Sequence, residues 1–478
     1  MANDVVRFVD SISASPTTRL DLNDGTTFTL RAAILADPPQ IHSSISSNAM
    51  TDGGYQSSSQ YGYRSIHLEL ILNVATQDAA ATALQNLHRE LDRETNYLKW
   101  QPDTATAPVF YKTWRTSPVQ IIDQPAARAV YYVVLEIPAD PFGSGLLETI
   151  SAGTVDTATG YFDVASASIK GDVEAPIILV DSAPTSGGTF TSANAYVRHL
   201  LARSTRSATD QPTIVQCSTL TMGTDTAVSS SDALTTFTST ASSAALTVLK
   251  WSPTGTTAAA MNGRYRLMVG VTITATTSSA TFYAAAKYGS GGYASFDAET
   301  TFAETVDPSG TQKFLWDFGI VEFTRPVSTS LTMAPYVELL AGCTSTTATK
   351  TIRWDFLYLV PADEALAMSA SLFLPAGSMP SGGTYPTSSP LLFDGIGDVV
   401  QIVSSTSIFS TATPVLPGWV NFNGSIPKIK PGSANRFFYM RYVSNIAASP
   451  PFAEYGSGSG TLTLYYYPQY LHARPATT

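Results

Sequence analysis

The sequence predicts a mainly β chain with a single amphipathic helix, on three observations. Charged residues make up 13% of the 478 residues, about half the usual share. Ser and Thr supply much of the polar surface instead, and both favour strands and turns over helices, Thr through β-branching and Ser through competing backbone hydrogen bonds. Apolar and polar residues alternate at period two in many short segments, while only one stretch repeats apolar residues at three- and four-residue spacing.

Taken in order, Thr18 to Leu22, the turn Asn23-Asp24-Gly25 and Thr26 to Ile34 read as a hairpin, because Asp-Gly between alternating runs is a strong turn signal. Arg64 to Val74 reads as a strand with Ile66, Leu68, Leu70 and Leu72 on one face. The helix is predicted from about Asp78 to Leu98. Ala80, Leu84, Leu87, Leu91 and Leu98 form its apolar face, and Arg89, Glu90, Asp92, Arg93 and Glu94 much of the other. Thr76 or Asp78 can cap its start. Strands resume at Val109 to Trp114 and Ala129 to Ile137, closed by Pro138 and Pro141.

A second region opens at GDVEAPIILV, Gly171 to Val180, and reads as all-β to about Asp363. In GRYRLMVGVTITA, Tyr265, Leu267, Val269, Val271 and Ile273 alternate with Arg264, Arg266, Met268, Thr272 and Thr274. Further strands are expected at Ala245 to Trp251, Ala280 to Ala286, Lys313 to Phe323, Leu331 to Leu339 and Thr351 to Val360. Short strands separated by Ser/Thr/Gly-rich loops suggest a sandwich or jelly roll. From Leu366 onward, candidate strands are Ser369 to Leu374, Asp398 to Ser404, Trp419 to Phe422, Arg436 to Val443 and Thr461 to Tyr467. The expected division is 1–165, 171–365 and 366–478. No internal repeat at fixed period argues for a solenoid or propeller.

Net charge is −10 with no basic run, a poor match to nucleic-acid phosphates, so no sequence-specific nucleic-acid partner is expected. The N-terminus lacks a basic, apolar leader, and no run of about 18 apolar residues predicts membrane insertion. A soluble protein made in a cytoplasm is expected. Cys217 and Cys343 are the two cysteines. They are better read as buried thiols than as a disulfide or zinc site, which needs more ligands at short spacing.

Candidate chemistry is sparse. LDLNDG, Leu20 to Gly25, lacks the oxygen spacing and terminal Glu of a calcium loop and reads as a turn. His67 and Glu69 lie on a strand. His88 and Glu90 lie on a helix, where residues two apart do not face each other. Neither pair has metal-ligand spacing, and no metal or cofactor is expected. Asp317, Glu322, Glu338 and Asp355 are the available carboxylates for glycoside cleavage, but nothing in their spacing selects a pair. GSGGYAS, Gly289 to Ser295, and GSGSG, Gly456 to Gly460, lack the Lys-Ser/Thr ending of a phosphate loop. No nucleophile elbow is present, so no catalytic residue is assigned. Trp251, Trp316, Tyr283, Tyr288 and Tyr293 could stack on sugar rings, with Tyr288 and Tyr293 the best placed because they flank a Gly-rich turn. Core packing is the more natural role for strand aromatics.

Two further segments carry a resemblance. FNGSIPKIKPGSANRFFYM runs from Phe422 to Met440, with a strand ending at Gly424, a turn through Pro427, Pro431 and Gly432, and a new strand from Arg436. LTLYYYPQYL follows from Leu462 to Leu471. Together they resemble the closing segment of distal tail and related minor tail proteins of long-tailed, siphovirus-type bacteriophages. The order of strands, one helix and strands ending at a proline-rich corner resembles the N-terminal belt domain of the same proteins. RWDFLYLVPADEA, Arg353 to Ala365, resembles the final strand of jelly-roll modules in phage minor tail proteins. The resemblance implies an N-terminal β-sandwich with one flanking helix, a jelly-roll middle domain inserted between belt and closing domain, and a galectin-like C-terminal β domain.

It also implies a structural, non-enzymatic virion protein of the tail tip, assembled in the host cytoplasm. The protein would be a homo-oligomer, most often a hexameric ring, joining tail tube to host-facing tip beside tape-measure and tail-tip hub proteins. Leu84, Leu87 and Leu91 on the helix are then candidate oligomer contacts. Tyr288, Tyr293, Trp251 and Trp316 are candidate contacts to host-surface glycan. The alternatives are a receptor-binding minor tail protein recognising host-surface glycan, and an enzyme acting on cell-wall polysaccharide.

Overall fold

The computed structural model describes residues 4–34, 39–47, 54–102, 107–123, 130–153, 161–182, 196–204, 213–223, 225–229, 232–237, 246–253, 261, 263–275, 281–291, 299–303, 310–323, 334–344, 350–362, 365–372, 390–404, 420–443 and 462–471. These form antiparallel sheets with one α-helix. The mainly β class read from the sequence is the observed one.

The N-terminal unit is a strongly bent sheet around one core. Its strands run in the spatial order Thr18–Asp21, Val5–Val9, Asn96–Gln101, Val109–Thr113, Val130–Ala139, Arg64–Asn73 and Phe28–Ile34. The two halves meet at a corner where Ala139 pairs with Thr113. Thr18–Asp21 and Phe28–Ile34 therefore lie at opposite ends of this path, and the predicted hairpin does not form. The turn between them is a corner held by its own side chains. The Asp24 carboxylate accepts backbone N–H bonds from Thr26, Thr27 and Phe28 at 2.7–2.9 Å, and the Asn23 amide oxygen accepts one from Leu30 at 3.0 Å. Gly25 supplies the positive φ of 72°.

The helix spans Gln77–Leu91, with Thr76 as N-cap accepting the Ala79 N–H at 3.2 Å. It stops about two turns earlier than its apolar pattern suggested. Leu98 belongs to the strand Asn96–Gln101, where Asn96, Leu98 and Trp100 point inward at period two. Glu90, expected on the solvent face, is buried. Its carboxylate pairs with Arg93 at 2.6 and 3.0 Å, while the Asn96 amide donates to the Glu90 carbonyl at 2.9 Å. This satisfied buried cluster ends the helix and starts the strand.

The C-terminal sandwich begins earlier than residue 366. Its outer sheet orders Glu148–Gly153, Leu462–Tyr466, Ala175–Asp181, Leu391–Asp394 and Val399–Ile402. Its inner sheet orders Tyr161–Val164, Asn435–Val443, Tyr196–Ser204, Ala365–Leu372 and Val420–Gly424. Ile177, Leu179, Phe393, Phe437, Tyr439 and Leu464 fill the space between. The expected boundary at 171 thus cuts through one domain. The apolar run APIILVD pairs with Leu462–Tyr466 on one side and Leu391–Asp394 on the other, a central strand position that a domain-opening strand would not occupy.

The middle sandwich is inserted within this domain, between Ser204 and Ala365, rather than between belt and closing domain. Count its principal strands from Asp232–Phe237 as first to Lys350–Pro361 as eighth. One sheet then runs first, eighth, third, sixth, and the other second, seventh, fourth, fifth. That order is a jelly roll, in which successive strands alternate between two sheets except for the fourth and fifth, which pair as neighbours in one sheet. Tyr265, Leu267, Val269, Val271 and Ile273 all face its core, as the alternation predicted. The opposite face of the same sheet packs on the inner sheet of the C-terminal sandwich. Met268, Leu315, Phe356 and Tyr358 meet Leu200, Ala202, Phe438 and Met440 there, and Arg198 donates to the Leu315 carbonyl at 3.2 Å. Four sheets therefore stack face to face.

The last described residues return to the first unit. Gln469–Tyr470 pairs with Gly143–Ser144, Gly145 donates to the Pro468 carbonyl at 2.8 Å, and Asp172 donates to the Gln469 carbonyl at 2.8 Å. The Tyr470 side chain enters the N-terminal core. Burial pushes its hydroxyl up to about 12, helped by the nearby Glu148, Tyr466 and Asp172 charges. Buried Arg64 donates to the Leu471 carbonyl and, at 3.3 Å, to the Tyr111 hydroxyl. Tyr470→Ala is expected to destabilise the N-terminal unit by about 3 kcal/mol, the range for losing a buried aromatic. Thermal unfolding followed by near-UV circular dichroism checks this.

Candidate functional site

The aromatic residues expected to meet a sugar in the middle domain sit in its core. Trp251, Trp316 and Tyr288 are 6%, 2% and 6% exposed, and all three belong to the apolar cluster between the jelly-roll sheets. Trp316 packs on Trp354 with ring centroids 5.5 Å apart, and Tyr288 on Phe323 at 6.4 Å. Tyr288 does not flank a turn, because the strand continues as Phe282–Gly291 and pairs Tyr288 with Val337. Their ring faces are covered by protein, so these three are corrected from ligand contacts to core. Tyr293 lies outside the described residues.

The helix leucines are likewise turned inward. Leu87 and Leu91 are buried in the N-terminal core and Leu84 packs against it. The apolar face that suggested a subunit contact is the face the helix uses on its own sheet, so Leu87 and Leu91 are not available to a partner.

The candidate carboxylates are dispersed and engaged. Asp317 holds Arg266 through bonds of 2.5–3.0 Å, Glu338 holds Lys250 at 2.7 Å, and Glu322 faces Arg264 at 3.5 Å. Asp355 lies where its strand changes partner, from Asp232–Phe237 to Thr213–Gln216. Burial there raises its carboxyl to about 6, with Asp232 raising it further and Lys313 and Arg353 opposing. Burial brings Lys313 down to about 8 against the pull of Asp355. Glu69 accepts the Tyr132 hydroxyl at 2.5 Å beside His67 on the outer sheet face. Among the described residues, no group of three His, Cys, Asp or Glu is placed to hold a metal. Cys217 and Cys343 are buried thiols in the jelly-roll core, and burial pushes the Cys217 thiol well up.

Exposed apolar groups gather on the N-terminal unit. Among the described residues, the strand Gln120–Asp123 pairs with Val130–Ala139 on one side only, and all four of its residues are exposed. Ile121 and Ile122 are 39% and 42% exposed, and Val119 just before them 61%. Beside this edge, Tyr63 and Trp114 stand at 47% and 45% exposure with ring centroids 6.0 Å apart. They open onto a cleft of about 490 Å³ that Glu136 and Thr116 also line. Tyr61 packs edge-on against Phe142 at 5.0 Å. The sequence hid this surface because Gln120–Asp123 is short and its apolar residues are adjacent rather than alternating.

The Pro- and Gly-rich turn of the C-terminal segment is structural. Buried Asn435 accepts from the Lys430 N–H at 2.9 Å and donates to the Lys430 and Ser433 carbonyls at 2.8 and 2.9 Å. Gly424 runs so close to the neighbouring strand that a Cβ would lie 2.0 Å from the Leu366 carbonyl oxygen. Arg436 grips Asp163 through two bonds of 2.7 and 2.8 Å.

No family model matches the chain, and no curated protein matches it in sequence. Among solved structures, it is similar to the Dit protein of phage SPP1, described as a paradigm of the hub adsorption apparatus in phages infecting Gram-positive hosts. Identity is 10%, coverage 74% of this chain and 98% of that one, and the TM-score 0.25. It is similar to a chain of the phage p2 baseplate in its activated conformation, at 8% identity, 75% and 99% coverage and a TM-score of 0.23. It is also similar to a chain of infectious bursal disease virus, Gx strain, at 7% identity, 69% and 82% coverage and a TM-score of 0.20. Scores this low carry no argument about function.

Asp355 generates a prediction with a definite sign. Its folded-state pKa lies above the unfolded value, so the contribution of Asp355 to stability is fully present below pH 4 and is lost as pH rises through about 6. Asp355→Asn should remove this loss and raise the melting temperature at pH 7 by about 2–5 °C, with little difference from the parent at pH 4. Differential scanning calorimetry at the two pH values checks it.

Proposed function

We propose that this chain is a structural protein of the tail tip of a long-tailed bacteriophage, a distal tail or related minor tail protein. It forms a ring that joins the tail tube to the host-facing tip complex. Its jelly roll projects outward, and its neighbours are tail-tube, tape-measure and hub proteins. The sequence resemblance of the closing segment supports the family. The observation that carries assembly is the edge strand Gln120–Asp123, with Ile121 and Ile122 exposed.

An edge strand with open backbone groups and apolar side chains is a ready site for pairing with another chain. Monomeric proteins blunt such edges with charge, and this one carries Asp123 alone. Apolar Val119 extends the patch, as expected of an interaction surface. The helix leucines play no part in this reading, since the unit needs them for its own core. The runner-up reading is a receptor-binding module; of the jelly-roll aromatics it names, Trp251, Trp316 and Tyr288 are used by the core.

Sedimentation velocity of the purified chain tests the proposal. A closed oligomer is expected for the parent, and Ile121→Lys combined with Ile122→Lys should leave a monomer with an unchanged melting temperature. An oligomer untouched by the double change, or a parent that stays monomeric at tens of micromolar, contradicts assembly through this edge.

A further inference from the structure

We propose that the cleft beside Tyr63 and Trp114 is a binding site for a neutral pyranose sugar. Three features of the cleft select that chemistry. First, the two rings form one exposed platform: their centroids lie 6.0 Å apart with planes at 43°. A pyranose stacks the C–H groups of one face on such a surface, burying apolar area on an electron-rich ring face. At that separation the rings touch side by side, leaving no gap between them for an ammonium group, as an aromatic cage requires.

Second, the platform is held in place. The Trp114 indole N–H donates to Asp140 at 2.8 Å, and the Trp114 backbone N–H donates to the Pro138 carbonyl at 2.8 Å. An indole that is 45% exposed yet held by its own N–H bond, on a backbone that is itself hydrogen-bonded, loses little freedom when a ligand arrives.

Third, the polar lining suits hydroxyl groups rather than charge. Glu136 is exposed at the cleft and takes the Ser65 hydroxyl at 2.8 Å on one oxygen. Its other oxygen can accept from sugar hydroxyls. The Thr116 hydroxyl lies beside it, donating to the Glu136 carbonyl at 3.3 Å. Among the described residues no cationic side chain lines the cleft, and Arg115 is turned away to Asp92 at 2.5 Å. An anionic ligand such as a phosphate or uronate would meet Glu136 unshielded. The volume of about 490 Å³ lies inside the range of about 300–1,000 Å³ of small-molecule sites.

The cleft's own lining carries the inference, and one rim residue, Val119, is shared with the exposed apolar edge. Saturation-transfer difference NMR tests it, with the purified full chain and millimolar cellobiose, lactose, maltose and N,N′-diacetylchitobiose as probes. Transfer to ring C–H protons of at least one disaccharide is expected. Trp114→Ala should weaken that binding by about tenfold or more, with the melting temperature retained. Tyr63→Ala should weaken it less. Absence of transfer from all four sugars, or equal transfer to Trp114→Ala, overturns the proposal. So does binding of choline or a proline-rich peptide at Trp114 in place of the sugars.

Discussion

The pairing of Gln469–Tyr470 with Gly143–Ser144 is the constraint on which the rest of the architecture depends. It carries the chain terminus of one domain into the core of another. Four backbone groups are satisfied there, at Gly145, Asp172, Gln469 and Leu471, and Tyr470 fills apolar space among residues of the bent sheet. Gly171 makes the close approach possible, with φ of 111° and the Gln469 carbonyl oxygen 3.0 Å from where a Cβ would stand. Proline at 468 removes a donor that the strand end would leave unpaired. The Tyr467-Pro468-Gln469-Tyr470 ending is therefore a joint between domains.

From that joint the sheets build outward as a stack. The outer sheet of the C-terminal sandwich continues directly into the latch, the inner sheet packs on the jelly roll, and the jelly roll closes the stack with its second sheet. The contact between the two sandwiches is apolar, from Leu200 and Met440 on one side to Phe356 and Tyr358 on the other. The insert is thus seated on its host domain by a continuous hydrophobic layer rather than hung from two linkers. Such a body presents its functional groups at fixed positions, which suits a structural part in a larger assembly. Its exposed apolar edge lies on the N-terminal unit.

Much of this was legible in the sequence where a single local rule decides the outcome. Alternation placed Tyr265 through Ile273 in the core, Thr76 capped the helix, and both cysteines proved to be buried thiols. The errors arose where long-range pairing overrode a local signal. Asp24-Gly25 makes a good turn, but the strands it joins find partners at opposite ends of a sheet. The helix pattern ran on to Leu98 because a strand at period two also presents a leucine there. The domain boundary was misplaced since Ala175–Asp181 finds its partners more than 200 residues later, and composition holds no trace of that pairing. The candidate site was the least legible part. Trp251, Trp316 and Tyr288 have the composition of a sugar platform and the burial of a core. Trp114 and Tyr63 are 51 residues apart and meet only through the register of their sheet.

Hydrogen–deuterium exchange resolved by mass spectrometry tests the joint most directly, by following residues 140–146 and 462–471 in the intact chain. The account predicts that both segments exchange with the same slow opening as the strand Val130–Ala139, because all three belong to one cooperative unit. Exchange of 467–471 at the rate of a frayed terminus, with Val130–Ala139 still protected, would contradict it.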